Sequence, residues 1–334
     1  MLFNYANPYK FEAIVKKYIK DIISTKYNLD PNLCKIVKPI AGVKSIVRLI
    51  EIPDSEGIVV KAYFGSKRKE GQVYKEAIKL LEEIDVNAPR LINYAEKYSS
   101  YGMDLLTEEF IPGSNFLKNE ITEDLIEPLA EEMAKMHKKK SSRWGIIADT
   151  KSAGSFYSNW YKRMKNRLNG VKEAYWQNVS STPDTEYLSV IKRFFKRWKS
   201  VFEYETSFDL IHDKINPGNI MVGEDGKIYI LDLQTLQFGN KAKDLIPLYH
   251  EILKSNKNYI EKFNKRYYEI MGERERESYN RMRDFFHAYY HLAECAINAK
   301  RSIKRYENSS MGDKEIANQK ALDHWDKLMK IIEG

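Results

Sequence analysis

The stretch DLIHDKINPGNIMVGEDGKIYILDL, residues 209–233, limits the fold more than any other part of the chain. It sets a polar loop, HDKINPGN, between short apolar runs, and Gly223-Glu-Asp-Gly226 then turns the second run back as a hairpin. Such a loop and hairpin need helices or further strands around them, because a lone two-stranded ribbon is marginal in water.

The flanking sequence supplies both. Toward the N-terminus, Phe11, Ile14, Val15, Tyr18, Ile19 and Ile22 recur at helical spacing and stop before Asn28, Asp30 and Pro31. LCKIVKPIAGVKSIVRLIEI and GIVVKAYF follow as β-like runs separated by the turn residues Pro53 to Gly57. Residues 70–84 place Val73, Ala77, Leu80 and Leu81 on one helical stripe, and LINYAEK and MDLLTEEFI read as further strands ending at Pro112-Gly113. From Thr122 the pattern turns helical, with Leu125, Leu129, Met133 and Met136 on one face. Helices are expected over 156–168, 184–204, 241–271, 275–306 and 314–332. The fold class is therefore α+β: a small β-rich N-lobe with one main helix over 1–112, and a large, mostly helical C-lobe over 113–334 that holds the loop and hairpin.

Composition narrows the function classes. With 43% hydrophobic and 31% charged residues among 334, neither a disordered nor a fibrous chain fits. The net charge of +8 argues against a site built for polycations. Two cysteines, Cys34 and Cys295, exclude a disulfide framework and a four-thiolate zinc site, and imply a reducing, cytoplasmic setting. No run of about 20 apolar residues could span a bilayer, and the first residues carry no secretory signal pattern.

A β-rich lobe, a break and a helical lobe enclosing a polar loop is the layout of kinase-like phosphotransferases, and the residues agree. IHDKINPGNIMV followed by IYILDL resembles the catalytic loop and metal-binding strand of the aminoglycoside phosphotransferase and choline kinase family, whose pattern is H-G-D-x-x-x-x-N and then an apolar strand ending in Asp. His212, Pro217, Gly218, Asn219 and Asp232 match in order and spacing. VVKAY resembles the strand of the phosphate-binding lysine, YKEAIKLLEEIDVNAPRLINY the helix that follows it, LLTEEFIPG the hinge and LAEEMAKMHKKK the first large-lobe helix. TEEF and LDLQTLQ resemble, more loosely, lipopolysaccharide core kinases.

The resemblance implies a bilobal protein kinase-like fold, the cofactors ATP and Mg²⁺, and transfer of a phosphoryl group to a hydroxyl, a reaction carried by positioning and charge stabilisation. Lys61 would contact the α and β phosphates with Glu76 as its ion-pair partner, and Asn219 and Asp232 would offer hard oxygen ligands to Mg²⁺. The Gly42-Val-Lys-Ser45 turn would cover the phosphates with backbone N–H groups, and the hinge at Glu109, Phe110 and Ile111 would hold the adenine. His212 would shape the loop. Taken one at a time, these residues are ordinary: a solvated strand lysine, a helix-surface glutamate, turn-forming Gly218 and Asn219, an aspartate at a strand end.

One position departs from the family pattern. The general base, the Asp five residues before the metal-binding Asn, is Lys214 here. A protonated ammonium has no lone pair for a substrate proton. Asp213 is adjacent, but neighbouring side chains in an extended segment face opposite ways, which makes it a poor geometric substitute. General base catalysis typically contributes roughly 10²- to 10⁴-fold, so slow turnover, an altered mechanism, a pseudokinase that binds nucleotide or a partner without transferring phosphate, and a substitution introduced to trap a complex are all compatible with the loop.

Weaker signals concern partners. Lys162, Arg163, Lys165 and Arg167, and Lys192, Arg193, Lys196, Arg197 and Lys199, fall on expected helices as solvated faces; as binding surfaces they would suit a neutral-to-anionic small molecule or glycan, a membrane surface or nucleic acid. Trp160 and Trp198 read as core or rim aromatics. His287 and His291 stand four apart on a helix, a metal-compatible spacing with no third ligand visible in the sequence, and His250 and His324 carry no signal.

Overall fold

The computed structural model describes residues 8–37, 46–64, 70–98, 102–148, 155–178, 185–203, 205–302 and 311–334. The chain forms two compact units, one comprising 1–139, 146–150 and 212–237, the other 140–145, 151–211 and 238–334.

The first unit is built on a five-stranded antiparallel sheet of β1 (Lys35–Val37), β2 (Ile46–Glu51), β3 (Ile58–Phe64), β4 (Leu91–Ala95) and β5 (Met103–Glu109), ordered β1-β2-β3-β5-β4. Its two faces are covered differently. Helix α1 (Pro8–Lys26) presents the stripe expected from its spacing, and Val15, Tyr18, Ile19, Ile22 and Ile23 bury against Ile58, Val60, Ala62, Met103 and Leu105. Each buried Val, Ile, Leu or Met side chain there stabilises the fold by about 1.5–3 kcal/mol. The Tyr18 hydroxyl bonds Thr107 at 3.0 Å on that face. Side chains alternate along a strand, so Lys61, Tyr63, Asp104, Leu106 and Glu108 face the other way, toward α2 (Glu70–Glu83). There Gly71 sits so close to β5 that a Cβ would lie 2.7 Å from the Asp104 side chain.

This unit does not stop at Pro112-Gly113, where the sequence pattern breaks. Strand β6 (Gly113–Asn115) joins a three-stranded sheet with β10 (Ile220–Gly223) and β11 (Ile228–Ile230), and Gly113, at φ 153°, passes so near β10 that a Cβ would lie 2.1 Å from the Val222 carbonyl oxygen. Glu132 of α3 (Ile126–Lys138) accepts from the Asn87 N–H at 2.8 Å. Main-chain pairing thus draws the hairpin, and a side-chain bond draws α3, into the N-terminal unit.

In the second unit, β7 (Lys140–Ser141) pairs antiparallel with β9 (Phe208–Ile211), while β8 (Gly145–Ile146) and β12 (Gln237–Gly239) lie where the chain passes from one unit to the other. Helix α4 (Phe156–Asn178) runs ten residues past the expected end at 168, whereas α9 (Glu273–Ser302) and α10 (Met311–Glu333) agree with the periodicity to within a few residues. Two long expected helices are broken. The 184–204 segment divides into α5 (Thr185–Arg197) and α6 (Lys199–Glu203) at Trp198. The 241–271 segment divides into α7 (Ala242–Pro247), a π-helical turn over Leu248–Ile252, and α8 (Lys257–Met271), because Pro247 cannot supply an amide hydrogen and Lys254 and Ser255 adopt positive φ. Trp160 is a core residue, edge-on to Phe286 and Tyr289 of α9 with ring centroids 5.0 Å away in each case. Among the described residues no helix is long and apolar enough to cross a membrane.

Candidate active site

Lys61 lies mid-strand in β3 on the face turned to α2. Its ammonium donates to the Tyr74 hydroxyl at 2.6 Å, sits 4.4 Å from that ring's centroid, and pairs with Glu108 Oε1 at 2.5 Å. Glu108 comes from the neighbouring strand: Lys61 registers with Leu106 and Val59 with Glu108, so the pair meets diagonally on one face. Lys61 and Glu108 side chains are only 14% and 4% exposed. Burial, then the Glu108 charge, with Asp232 contributing further, push the Tyr74 hydroxyl pKa well up, so Tyr74 stays neutral beside the pair.

Glu76 does not take the role expected of it. It lies 3.5 Å from Lys75 with its side chain 42% exposed, whereas Tyr74 is fully buried. Two residues along a helix turn the side chain by about 200°, so when Tyr74 faces the sheet Glu76 points away from it. The partner of Lys61 is Glu108 instead.

The loop from His212 to Asn219 is built by its own side chains. His212 is fully buried and holds the Leu231 carbonyl through Nε2 at 2.7 Å; since a carbonyl only accepts, Nε2 carries the hydrogen. Thr235 Oγ1 donates to the His212 carbonyl at 2.9 Å. Asn216 Oδ1 accepts from the Gly218 N–H at 2.8 Å, closing an Asx turn before Asn219. Asn216 and Asn219 both donate amide hydrogens to the Lys214 carbonyl, at 2.9 and 3.0 Å. That bond orients the Asn219 amide and leaves Oδ1 as its remaining acceptor. The Leu231 N–H bonds the Asn219 carbonyl at 2.8 Å, continuing the β10–β11 register in which Ile220 faces Ile230, so Asn219 and Asp232 flank the same end of the hairpin.

Asp213 and Asp232 both hold positive φ, 65° and 61°. Residues other than glycine tolerate this region at a cost, asparagine and aspartate best, and such strain gathers at functional sites. The value at Asp213 corrects the sequence expectation: the segment is not extended there, so the alternation argument that turned Asp213 away from the Lys214 side does not apply. It also explains the glycine that the family pattern carries at this position.

The sheet face and the loop converge within the first unit. The Tyr63 hydroxyl, two residues from Lys61 on the same face, donates to Gln234 Oε1 at 3.3 Å, two residues beyond Asp232. Burial raises the Tyr63 pKa well above normal, and the charges of Glu108 and Asp232 both add to it, so both carboxylates act on one phenol. The donor set of Asn219 Oδ1 and the Asp232 carboxylate consists of hard oxygens, which fits Mg²⁺.

Of the other expected site residues, the structure describes Glu109 and Ile111. Glu109 points to the α1 face, where Arg90 engages its carboxylate at 3.0 and 3.2 Å, and Ile111 is buried just beyond β5. Gly42 and Ser45 lie outside the described residues. Tyr74, Glu108 and Gln234 were missed by the sequence reading; the available signal was the alternation of MDLLTEE, which puts Asp104, Leu106 and Glu108 together on one face of their strand.

Residues 37–285 match the family model described as Phosphotransferase enzyme family. No curated protein matches the chain by sequence. A choline kinase from Cryptosporidium parvum superposes with a TM-score of 0.63 at 13% identity, covering 96% of both chains. A putative fructosamine-3-kinase from Haemophilus somnus gives 0.61 at 16% identity over 94% of this chain and 99% of that one. A spectinomycin phosphotransferase solved with ADP and spectinomycin gives 0.59 at 14% identity, over 95% and 96%. These likenesses establish the bilobal kinase-like fold, and the model match over most of the length places the chain in the phosphotransferase enzyme family.

Proposed function

We propose that this chain is an ATP- and Mg²⁺-dependent phosphotransferase of the cytoplasm that moves the γ-phosphoryl group to a hydroxyl of a small molecule or glycan, slowly because Lys214 stands where the family carries its base. The observation that carries the reading is the Tyr63–Gln234 bond, which joins the face of Lys61 to the segment holding Asp232. Lys61, positioned by Glu108 and Tyr74, would bind the α and β phosphates. Asn219 and Asp232 would hold the metal, which when bound neutralises charge on the phosphate oxygens. His212 and Asn216 keep the loop in shape, which fixes the Asn219 amide. Lys214 is exposed, and as an ammonium it can stabilise an incoming anionic acceptor or the γ-phosphate but cannot take the acceptor's proton. The left-handed turn at Asp213 leaves that carboxylate as the loop's own alternative base.

The identity of Lys214 favours a second reading, a nucleotide-binding pseudokinase. Thermal-shift measurements with ATP, ADP and GTP, with and without Mg²⁺, test what the two readings share, since a ligand selective for the folded state raises the melting temperature. No shift with any nucleotide would overturn both. Lys214→Asp separates them: on the first reading the native chain turns over slowly with a hydroxyl acceptor, and the variant gains roughly 10²- to 10⁴-fold. A native chain with no turnover at all, which acquires it only on substitution, establishes the second.

A further inference from the structure

Four of the chain's six histidines gather at one place in the second unit, whereas the loop described above belongs to the first. We propose that His250, His287 and His291 form a binding site for a transition-metal dication, Zn²⁺ by preference, with His324 bonded to it from behind. One ring nitrogen from each of the three lies within 4.8 Å of the others. His250 Nε2 and His287 Nδ1 are 3.4 Å apart, and His291 Nδ1 and His324 Nδ1 are 2.9 Å apart. Two nitrogens bound tetrahedrally to one Zn²⁺ at about 2.0–2.1 Å stand roughly 3.3 Å from each other, so the His250–His287 separation is already that of two ligands.

The scaffold aims these rings from separate elements. His287 and His291 share one face of α9 by their four-residue spacing. His250 projects from the π-helical turn at Leu248–Ile252, a local geometry frequent at functional sites. Ser255, held at φ 56°, brings its Oγ to His250 Nδ1 at 3.1 Å, and the Tyr290 ring stacks on His250 at 5.0 Å with only 5° between the planes. When Nδ1 donates to Ser255, Nε2 presents a lone pair, the form a metal ligand requires; such outer hydrogen bonds orient metal-bound imidazoles generally. His291 is 4% exposed and anchored by His324 of α10 in the same manner. A hydrogen bond between two imidazoles uses one N–H and one lone pair, so a dication replaces a shared hydrogen with a stronger common partner. Imidazole sets of this kind suit Zn²⁺, Cu²⁺ and Ni²⁺ rather than Mg²⁺, which separates this site chemically from the oxygen donors Asn219 and Asp232. The cations whose charges act on this cluster, Lys327, Arg283 and Lys320, are all exposed and so screened by water.

The full chain, stripped with chelator and dialysed, should take up one Zn²⁺ per molecule with micromolar or tighter affinity in competition with a chromophoric chelator. Its melting temperature should rise by about 3 °C or more under saturating Zn²⁺. Co²⁺ in its place should give the visible absorption of a nitrogen-ligated, low-coordinate ion, a signal from the native protein that needs no variant to fold. His287→Asn and His250→Asn should each weaken binding at least tenfold, His324→Asn less, and Asp232→Asn not at all. Absence of saturable Zn²⁺ binding below about 100 µM, or binding abolished by Asp232→Asn and unchanged in the histidine variants, would overturn the proposal.

Discussion

Two lysines, one in each unit, show how a charge kept for structure differs from a charge kept for a ligand. Lys241 is 1% exposed and enclosed by two carboxylates: its ammonium lies 2.6 Å from Glu275 and 3.5 Å from Asp209, and its own N–H reaches Asp209 at 3.1 Å. Lys140 bonds the same two carboxylates, so the network closes on itself. Lys61 has one carboxylate and one phenol, and Glu108 Oε2, though buried, finds no hydrogen-bond partner among the described residues. A half-satisfied buried cluster is costly. It is tolerated where function requires it, and here the open side belongs to the face that converges with Asp232.

The largest effect that can break this comparison is on stability. Lys241→Met leaves Asp209 and Glu275 with Lys140 alone, and removing one member of a buried ionic network costs about 3–5 kcal/mol. Denaturant unfolding should show that loss; a change under about 1 kcal/mol would mean that Lys140 suffices and the network is redundant. Glu275→Gln should cost less, about 2–3 kcal/mol at neutral pH, the worth of hydrogen bonds to charged groups. Burial pushes the Glu275 pKa up, but the hydrogen bonds and charges of Lys241 and Lys140 outweigh it and leave it below normal. A carboxylate depressed on folding stabilises above its unfolded value and loses that contribution as pH falls through the folded one. The gap between native and Glu275→Gln should therefore close as the pH drops below about 4.5, and a gap independent of pH would show that the ion pair contributes nothing.

Lys61 should behave in the opposite way. Replacing the pair together, Lys61→Met with Glu108→Gln, removes both charges and leaves neither stranded, which is often neutral for stability. Nucleotide affinity, by contrast, should fall about ten- to thirtyfold through loss of charge-assisted hydrogen bonds, or about 1.5–2 kcal/mol. Isothermal titration with ATP and Mg²⁺ reads the loss. A double variant that stays folded but loses much of its stability, while binding ATP with native affinity, would place Lys61 with Lys241 as a structural charge.

What could be read from the chain divides along the same line. The loop from His212 to Asp232 was legible because its contacts are local: Asn216 to Gly218, Asn219 to Lys214 and the hairpin register all lie within a few residues, where spacing determines geometry. α1 and the strands were legible from periodicity. The partner of Lys61 was not, because Tyr74 and Glu108 approach from a helix and a strand, 13 and 47 positions away, and their meeting depends on sheet register. The histidine cluster is the extreme case, with rings from 250, 287, 291 and 324 assembled only by a π turn and two packed helices. A four-residue spacing on one helix states half of such a site and says nothing of the other half.

The smallest expected effect is the sharpest test of where the Lys61 partner lies. By the family resemblance, Glu76 should hold the ammonium, and Glu76→Gln should then impair nucleotide binding about as strongly as loss of Lys61. By its position on α2 it is a surface residue beside Lys75, and exposed pairs of this kind contribute about 0–1 kcal/mol. Glu76→Gln should accordingly change stability by less than about 0.5 kcal/mol and leave ATP affinity within twofold, while Glu108→Gln alone, which strands Lys61 beside Tyr74, disturbs both. A strong binding defect in Glu76→Gln would mean that α2 rotates when nucleotide binds. The helix would then have to turn Tyr74 out of its contact with Lys61, and the Lys61–Glu108 pair would be a resting state that the nucleotide dismantles.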